Sequence, residues 1–328
     1  MKVSIITPNY NGEKYLEEYF QSLTPQKQHI DEVIIIDNNS KDNSKQIIQK
    51  YQEKLNIQLI ENNTNTGFAK ACNQGIQKAK NEYLLLLNND IKLEKNAIKT
   101  LIETIQENPK TFSVMSKMIQ YHQPNLIDTA GDEYTILTYT QKKGNNTNKE
   151  KYNKKREIFS SCAGAALYKK SIIEQIGPFD ENFFAYVEDI DLSYRAQIQG
   201  YHNIYQPESI VYHHGSATSG SKYNPFKIRL AARNNIYLIY KNYPIPQKIL
   251  NFIFIFLGHL IKYLVFYKKG QSKPYLEGIK EGLKTRKQLE KTKYENKNIK
   301  NYLKIEWKLI INTIKLIQKS NKENNKNI

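Results

Sequence analysis

Residues 31–61, DEVIIIDNNSKDNSKQIIQKYQEKLNIQLIE, carry a strand, a helix and a second strand in immediate succession. DEVIIIDNNS (31–40) is apolar and β-branched until Asp-Asn-Asn-Ser cuts it off, the pattern of a buried strand with a polar end. KDNSKQIIQKYQEKL (41–55) reads as a helix, with Asn39 or Ser40 placed to cap it, and IQLIE (57–61) as a short strand. The alternation extends on both sides. KVSIIT (2–7) is a short apolar strand ending at Pro8, and 13–23 has a helical pattern. NTGFAKACNQGIQKAK (65–80) opens with a glycine turn and continues as a helix. EYLLLLNND (82–90) is a long strand ending in polar groups, and 94–107 is another helix. This order predicts an α/β fold with a doubly wound, mostly parallel sheet, a Rossmann-like nucleotide-binding core. In such sheets ligands bind beyond the carboxyl ends of the strands, where the polar clusters at 7–12, 37–40 and 88–90 all fall.

Past residue 110 the alternation fades. TQKKGNNTNKEKYNKKRE (140–157) is charged and nearly free of aliphatics, so a mobile loop is expected there. SCAGAALYKKSIIEQIG (161–177) returns to a strand and a helix, and 209–213 is strand-like. From about 225 the chain reads as helical to its end. The 328 residues suffice for one large domain with additions, or for two. We divide them into a catalytic domain, 1–225, and a basic helical extension, 226–328. Within the first, a nucleotide-binding half (about 1–110) precedes an acceptor and base half (about 111–225).

The net charge is +17, which suits an acidic partner such as nucleotide phosphates or an anionic membrane surface. No zinc-finger, helix-turn-helix or RNA-binding signature accompanies it, so nucleic acid is not an expected partner. Cys72 and Cys162 form no CxxC pair, so a reducing compartment fits. The apolar run before Pro8 is too short for a signal peptide, and a cytoplasmic protein is expected.

Several strand ends carry candidate chemistry. Asp37 and its polar successors could contact a base and ribose. Gly67 sits at a strand-to-helix turn where backbone can approach a diphosphate, although the pattern is not GxGxxG. Four leucines bury the strand that presents Asp90, a carboxylate able to hold Mg²⁺ or Mn²⁺ bridging nucleotide phosphates. Its alternative role is to cap the helix at 94–107.

FFAYVEDIDLSYR (183–195) gathers Glu188, Asp189 and Asp191 among aromatic rings. One reading is the acidic first turn of an amphipathic helix. The other is a general base. At helical spacing Glu188 and Asp191 share a face while Asp189 points about 100° away, so one acid can face a cleft while the others brace it. A carboxylate beside Phe183, Phe184 and Tyr186 loses solvent, and its pKa rises toward what a base needs. In VYHHG, neighbouring strand residues point opposite ways, so at most one of His213 and His214 joins Asp90 in holding a metal.

Taken in order, VSIITPNYNG, VIIIDNNSKDNS, NTGFAKACNQG, LLLLNND, GPFDENFFAYVEDIDLSYR and VYHHGSATS resemble the family 2 glycosyltransferases of GT-A fold. The likeness covers roughly residues 1–235 and is greatest to the rhamnosyltransferase-type branch that builds bacterial surface polysaccharides, lipopolysaccharide among them. It implies inverting transfer of a sugar from a nucleoside diphosphate donor to a glycan or lipid-linked acceptor, with a divalent metal. By the same resemblance, Pro8 and Tyr10 line the base pocket, and Asp37 and Asn38 contact base and ribose. Asn65, Gly67, Phe68 and Asn73 stand beside the donor. Asn88, Asn89 and Asp90 occupy the DxD position, Asp189 is the catalytic base, and His213 completes the metal site. Asn88 stands where the family has an aspartate, so Asp90 alone supplies charge. Glu188, Asp191 and Arg195 are supports, with Asp191 and Arg195 spaced to pair on a helix. A non-catalytic nucleotide-sugar or glycan-binding module of the same fold is the alternative, prompted by Asn88.

The basic end suggests a membrane. ILNFIFIFLGHLIKYLVFYKK (249–269) is very apolar but interrupted by Asn251, His259 and Lys262, so a helix lying in the membrane plane is favoured over a core helix or a span. Residues 268–328 hold 17 Lys+Arg against 6 Asp+Glu, which makes +11. Leu303, Trp307, Ile310, Ile314 and Ile317 form an apolar stripe there, for a membrane surface or for the catalytic domain. The expected location is peripheral, on the inner face of the cytoplasmic membrane. Since the donor motifs precede residue 240, a chain ending near there is expected to stay folded.

Overall fold

The computed structural model describes residues 1–215 and 224–324. Strand β1 (Val3–Asn9) leads to helix α1 (Glu13–Leu23), β2 (Ile30–Asp37), α2 (Ser44–Leu55), β3 (Ile57–Glu61), α3 (Phe68–Lys78) and β4 (Tyr83–Leu87). These strands run parallel in the order β4-β1-β2-β3. Val33 to Ile36 are fully buried, as a strand covered on both faces requires. β1 continues through Pro8 to Asn9. A proline inside a ladder is unusual, because it has no N–H to donate. Here Asn9 O accepts from Asn38 N–H on the β2 side, so Pro8 faces the β4 side, where pairing has already stopped at Ile6 and Leu86.

The chain then forms β5 (Ile91–Leu93), α4 (Ala97–Gln106), β6 (Thr111–Gln120), β7 (Gln123–Thr129), β8 (Asp132–Tyr134), β9 (Thr140–Lys142), β10 (Arg156–Ile158) and β11 (Ala165–Lys169). Helices α5 (Lys170–Ile176) and α6 (Glu188–Ile198) precede β12 (His202–His213). β11 runs antiparallel between β4 and β6, and β12 runs parallel beside β6. Antiparallel partners need no crossover helix, which is why the strand–helix alternation lapses past residue 110. Among the described residues the outcome is one mixed, mostly parallel sheet and a small β8–β9 hairpin.

Three local expectations change. Helix α2 starts at Ser44, and neither Asn39 nor Ser40 caps it; Asp42 Oδ1 accepts the Ser44 N–H at 3.1 Å instead. Asp90 does not cap α4, where Gln26 Oε1 accepts the Ile98 N–H at 3.0 Å. The charged stretch 140–157 is folded. It forms β9, a turn of 3-10 helix over Lys149–Tyr152, and β10. Arg156 lies over the rings of Tyr152 and Tyr205, and Lys142 pairs with Asp128 at 2.8 Å, so polar and cation–π contacts replace the missing aliphatics.

Helices α7 (Pro225–Asn242), α8 (Ile245–Lys268), α9 (Ser272–Thr285) and α10 (Ile299–Asn324) complete the described chain. Their inner faces and the connection between α9 and α10 build a core jointly with the sheet domain: Leu289, Tyr302, Ile305 and Leu309 pack in one cluster with Phe159, Ile190 and Tyr194. Most of the apolar stripe read at 303–317 lies off that inner face: Leu303, Trp307, Ile314 and Ile317 are exposed, while Ile310 packs against the cluster. This packing corrects the expected tolerance of truncation. Burying one large apolar side chain stabilises by about 1.5–3 kcal/mol, so losing these four removes roughly the whole stability of an ordinary domain. A chain ending at residue 243 is expected to be insoluble or to melt far below the full chain. A truncated protein with the full-length Tm would show that the helices are dispensable.

Candidate active site

The first strand ends are tied together by side-chain amides. Asn9, wholly buried at the end of β1, donates to Asp37 Oδ1 at 2.8 Å and to Ser40 Oγ at 3.1 Å, and accepts from Asn89 at 2.7 Å. Asp37 Oδ2 also accepts the Ser40 N–H at 2.9 Å. Asn38 Oδ1 accepts from Asn62 and from the Thr66 hydroxyl, both at 2.9 Å, which holds the loop before α3. Asn65 Oδ1 accepts the Gly67 N–H at 3.0 Å. Gly67 has φ +85°, and a Cβ there would lie 2.6 Å from the ring and carbonyl of Phe184, so only glycine fits this approach. Pro8, Tyr10 and Phe68 are half-buried at the same ends. Asn73 lies apart from them; its amide bonds both the N–H and the carbonyl of Phe179, at 3.0 and 2.9 Å.

Asp90 follows β4 and meets the end of β12. His213 Nε2 lies 3.3 Å from Asp90 Oδ2, and His213 Nδ1 lies 2.8 Å from Asp128 Oδ2. Burial alone would lower the His213 pKa, but the two carboxylates push it up to about 9. Asp128 is held below the ordinary carboxylate range: burial opposes this, and His213 and Lys142 outweigh it. Asp90 Oδ1 is buried with no partner among the described residues. An orphaned carboxylate oxygen beside an imidazole oriented by a second carboxylate is the arrangement that suits a divalent ion. His214 points the other way, to Glu18 at 2.9 Å, and stacks on Tyr121. Asn88 gives its N–H to Gly164 O at 2.9 Å and is half-buried.

The acidic turn is built under strain. Phe184, Tyr186 and Val187 have φ of 63°, 72° and 73°, a region L-residues avoid, and valine most of all. Asn234 of α7, fully buried, clamps this turn. Its Nδ2 donates to the carbonyls of Phe183, Ala185 and Tyr186 at 2.9, 2.9 and 2.6 Å. Asp191 pairs with Arg195 at 3.0 Å and with Lys241 at 3.2 Å, and accepts from Asn242 at 2.7 Å. Burial raises its pKa, but the Arg195 and Lys241 cations bring it below the usual range. Arg195 also donates to the carbonyls of Ile176, Gly177 and Pro178. Asp191 and Arg195 thus lock α6 to its neighbours. Glu188 is buried, and its Oε2 has no partner among the described residues.

Asp189 points elsewhere and keeps part of its surface open. Its Oδ1 accepts the Ile190 N–H at 2.8 Å. Burial raises its pKa, with backbone N–H groups of Ile190 and Ala163 partly offsetting that. A carboxylate oxygen of Asp132 and the Cys162 sulfur lie within 4.8 Å of it. Burial and the nearby Asp189 charge raise Asp132 as well. The loop at 160–164 joins this acid to the strand ends: Ser160 Oγ donates to Asp189 O at 3.1 Å, Ala163 N–H bonds Asp189, and Gly164 O holds Asn88.

Four residues were not singled out from the sequence: Asn9, Asp128, Asp132 and Asn234. Asp128 and Asp132 stand in DTAGD (128–132) and Asn234 in ARNNIY (232–237), short patterns whose partners lie far away in the chain.

Residues 4–177 match the family described as Glycosyl transferase family 2. Poly(ribitol-phosphate) beta-N-acetylglucosaminyltransferase TarS of Staphylococcus aureus is 36% identical over 111 residues, 33% of this chain and 19% of that protein. Poly-beta-1,6-N-acetyl-D-glucosamine synthase of the same organism is 26% identical over 206 residues, 62% of this chain and 48% of that protein. The chain therefore spans half or less of the curated relatives it matches. Among solved structures, GalNAc-T7 with UDP, GalNAc and Mn²⁺ superposes with TM-score 0.58 at 16% identity, over 73% of this chain and 47% of that one. TarS 1–349 in complex with UDP-GlcNAc superposes at 0.51 with 19% identity, over 90% and 94%. These likenesses show a GT-A fold.

Proposed function

From the premise that this chain belongs to glycosyl transferase family 2, we propose that it moves a sugar from a nucleoside diphosphate to an acceptor hydroxyl with inversion. The carrying observation is the loop at 160–164, which ties a largely buried, raised-pKa carboxylate at Asp189 to the strand ends that present Asp90 and His213. The donor lies across the ends of β1, β2 and β4. Asp189 takes the proton of the acceptor hydroxyl as its oxygen attacks the anomeric carbon, and the diphosphate leaves from the opposite face. One displacement inverts that carbon, so no nucleophilic carboxylate is needed. Asp132 stands beside the base and takes up part of the effect of its charge.

Asp90 Oδ1 and His213 Nε2 would hold Mg²⁺ or Mn²⁺, with Asp128 fixing the imidazole through its other nitrogen. Held there, such an ion would offset negative charge on the leaving diphosphate. With Asn88 uncharged, Asp90 alone of that motif would bring charge to the ion. Ligation requires neutral His213, and the metal-free group keeps its proton below about 9. Mn²⁺ affinity in the absence of donor is therefore expected to fall as pH is lowered from that value, toward about tenfold per pH unit. Asp90→Ala and His213→Ala should each weaken it and raise the metal requirement for turnover. Titrating Mn²⁺ at several pH values checks this. A pH-independent affinity, or one untouched by Asp90→Ala, would take the ion away from this pair.

Names of the relatives support an N-acetylglucosaminyl donor, while the motif resemblance supports rhamnose. Surface-polysaccharide synthesis is the setting both suggest. Released diphosphate is the readout for a panel of nucleotide sugars that includes UDP-GlcNAc and a nucleoside-diphosphate rhamnose. Turnover with inverted product supports the reading. Tight donor binding without turnover, under all metals and acceptors, would favour a binding module.

A further inference from the structure

Helix α8 carries its polarity inside out. Gln247 and Asn251 donate to Glu306 Oε2 of α10 at 2.7 and 2.9 Å. His259 Nδ1 lies 2.7 Å from the Tyr275 hydroxyl of α9. Lys262 Nζ donates to the carbonyl and hydroxyl of Thr138 at 2.8 and 2.6 Å. Gly258 brings the helix backbone against Leu137, whose carbonyl would lie 2.1 Å from a Cβ at that position. The polar positions that argue against a membrane in the sequence thus all turn toward the protein. The opposite side is apolar and open: Ile249, Phe252, Ile253 and Phe256 are all exposed, Phe252 at 69% and Phe256 at 61%. On α10, Leu303 and Trp307, four residues apart on one helical face, are also exposed, Trp307 at 62%. An exposed apolar helix face such as that of α8 marks an interaction site.

We propose that this face docks on an anionic bilayer with α8 lying in the membrane plane. Two observations select that occupant. The side-chain bonds along 247–262 hold α8 against the protein over most of its length, so it is not free to cross a bilayer. The flanking chain is basic: 17 Lys+Arg against 6 Asp+Glu over 268–328 complements anionic lipid and opposes a second copy of itself. The inner side of α8 rests on the tip of the β8–β9 hairpin at Leu137 and Thr138, whose β8 strand begins at Asp132, beside Asp189. Resting on the transfer reading, this places the acceptor side of the base near lipid and points to a lipid-linked acceptor. The docking itself does not depend on that reading.

Full-length protein is expected to sediment with vesicles of phosphatidylglycerol and phosphatidylcholine, far less with phosphatidylcholine alone, and to release partly as salt is raised. Replacing Phe252→Glu and Phe256→Glu together should reduce vesicle binding by on the order of tenfold or more, with diphosphate release from donor in solution unchanged. Both rings are exposed, so the fold should survive, which a melting curve checks. Lys268→Glu with Lys273→Glu gives an independent variant that should lose the preference for anionic lipid. Absence of wild-type sedimentation, or unchanged binding in the Phe252/Phe256 variant, would overturn the proposal. So would a lipid-free dimer dissolved by that variant, since a second copy would then own the face.

Discussion

Asp189→Asn is expected to lower transfer by on the order of 100-fold or more while donor binding stays nearly intact. The amide keeps the size of the carboxylate and can still accept the Ile190 N–H, so the loop at 160–164 and the strand ends remain in place. It cannot accept the proton of the acceptor hydroxyl. The pH dependence adds a second readout. Burial raises the Asp189 pKa above the ordinary carboxylate range, so the base is protonated, and the enzyme inactive, to a higher pH than an exposed aspartate would allow. The rate should therefore be fully present at higher pH and fall as pH drops through that raised value. Asp132, raised by burial and by Asp189, titrates with it as a pair. Asp132 is raised further than Asp189 and stays protonated through that limb, so Asp132→Asn should leave the acid limb in place with the plateau largely kept. An Asp189→Asn rate above about a tenth of wild type would exclude it as the base. A limb displaced by about a pH unit or more in Asp132→Asn would show that Asp132 carries charge while Asp189 titrates.

Asn234→Leu is expected to lower stability by about 2–4 kcal/mol and to reduce turnover well beyond what the lost stability explains. The residue is fully buried and donates to three carbonyls of one turn. Leucine of similar volume leaves acceptors unsatisfied in a dry site. The turn itself holds Phe184, Tyr186 and Val187 at positive φ, a conformation that persists only when its surroundings impose it. Releasing the clamp lets the start of α6 relax, and Asp189 sits in its first turn. A purely structural defect would lower Tm and leave the rate per folded molecule unchanged. A positioning role predicts a lower kcat in the folded fraction, with the acid limb shifted because Asp189 no longer holds its buried place. Wild-type Tm and kcat together would show that the turn keeps its shape without Asn234.

Much of this was legible in one dimension because the signals are local. A run such as Val33–Ile36 reports burial on both faces within a few residues, and Leu84–Leu87 ending at Asn88 reports a strand end directly. The first strands, the helices between them, the acids at 188–191 and the apolar stretch of α8 therefore appear in the sequence to within a few residues. The charged stretch at 140–157 misled because its order comes from long-range contacts: Arg156 on Tyr205, Lys142 on Asp128. The site was divided in the same way. Which atoms meet at a strand end depends on pairing between distant segments. β12 running beside β6 and against β5 brings His213 to Asp90 and Asp128, and the chain reversal after β7 brings Asp132 to Asp189. The clamp on the acidic turn comes from α7, beyond the last strand. For α8 the composition declares an apolar helix but cannot say which stripe faces outward. Only packing decides that, because a buried amide or ammonium must find a partner, and Glu306, Tyr275 and Thr138 all lie on the protein side.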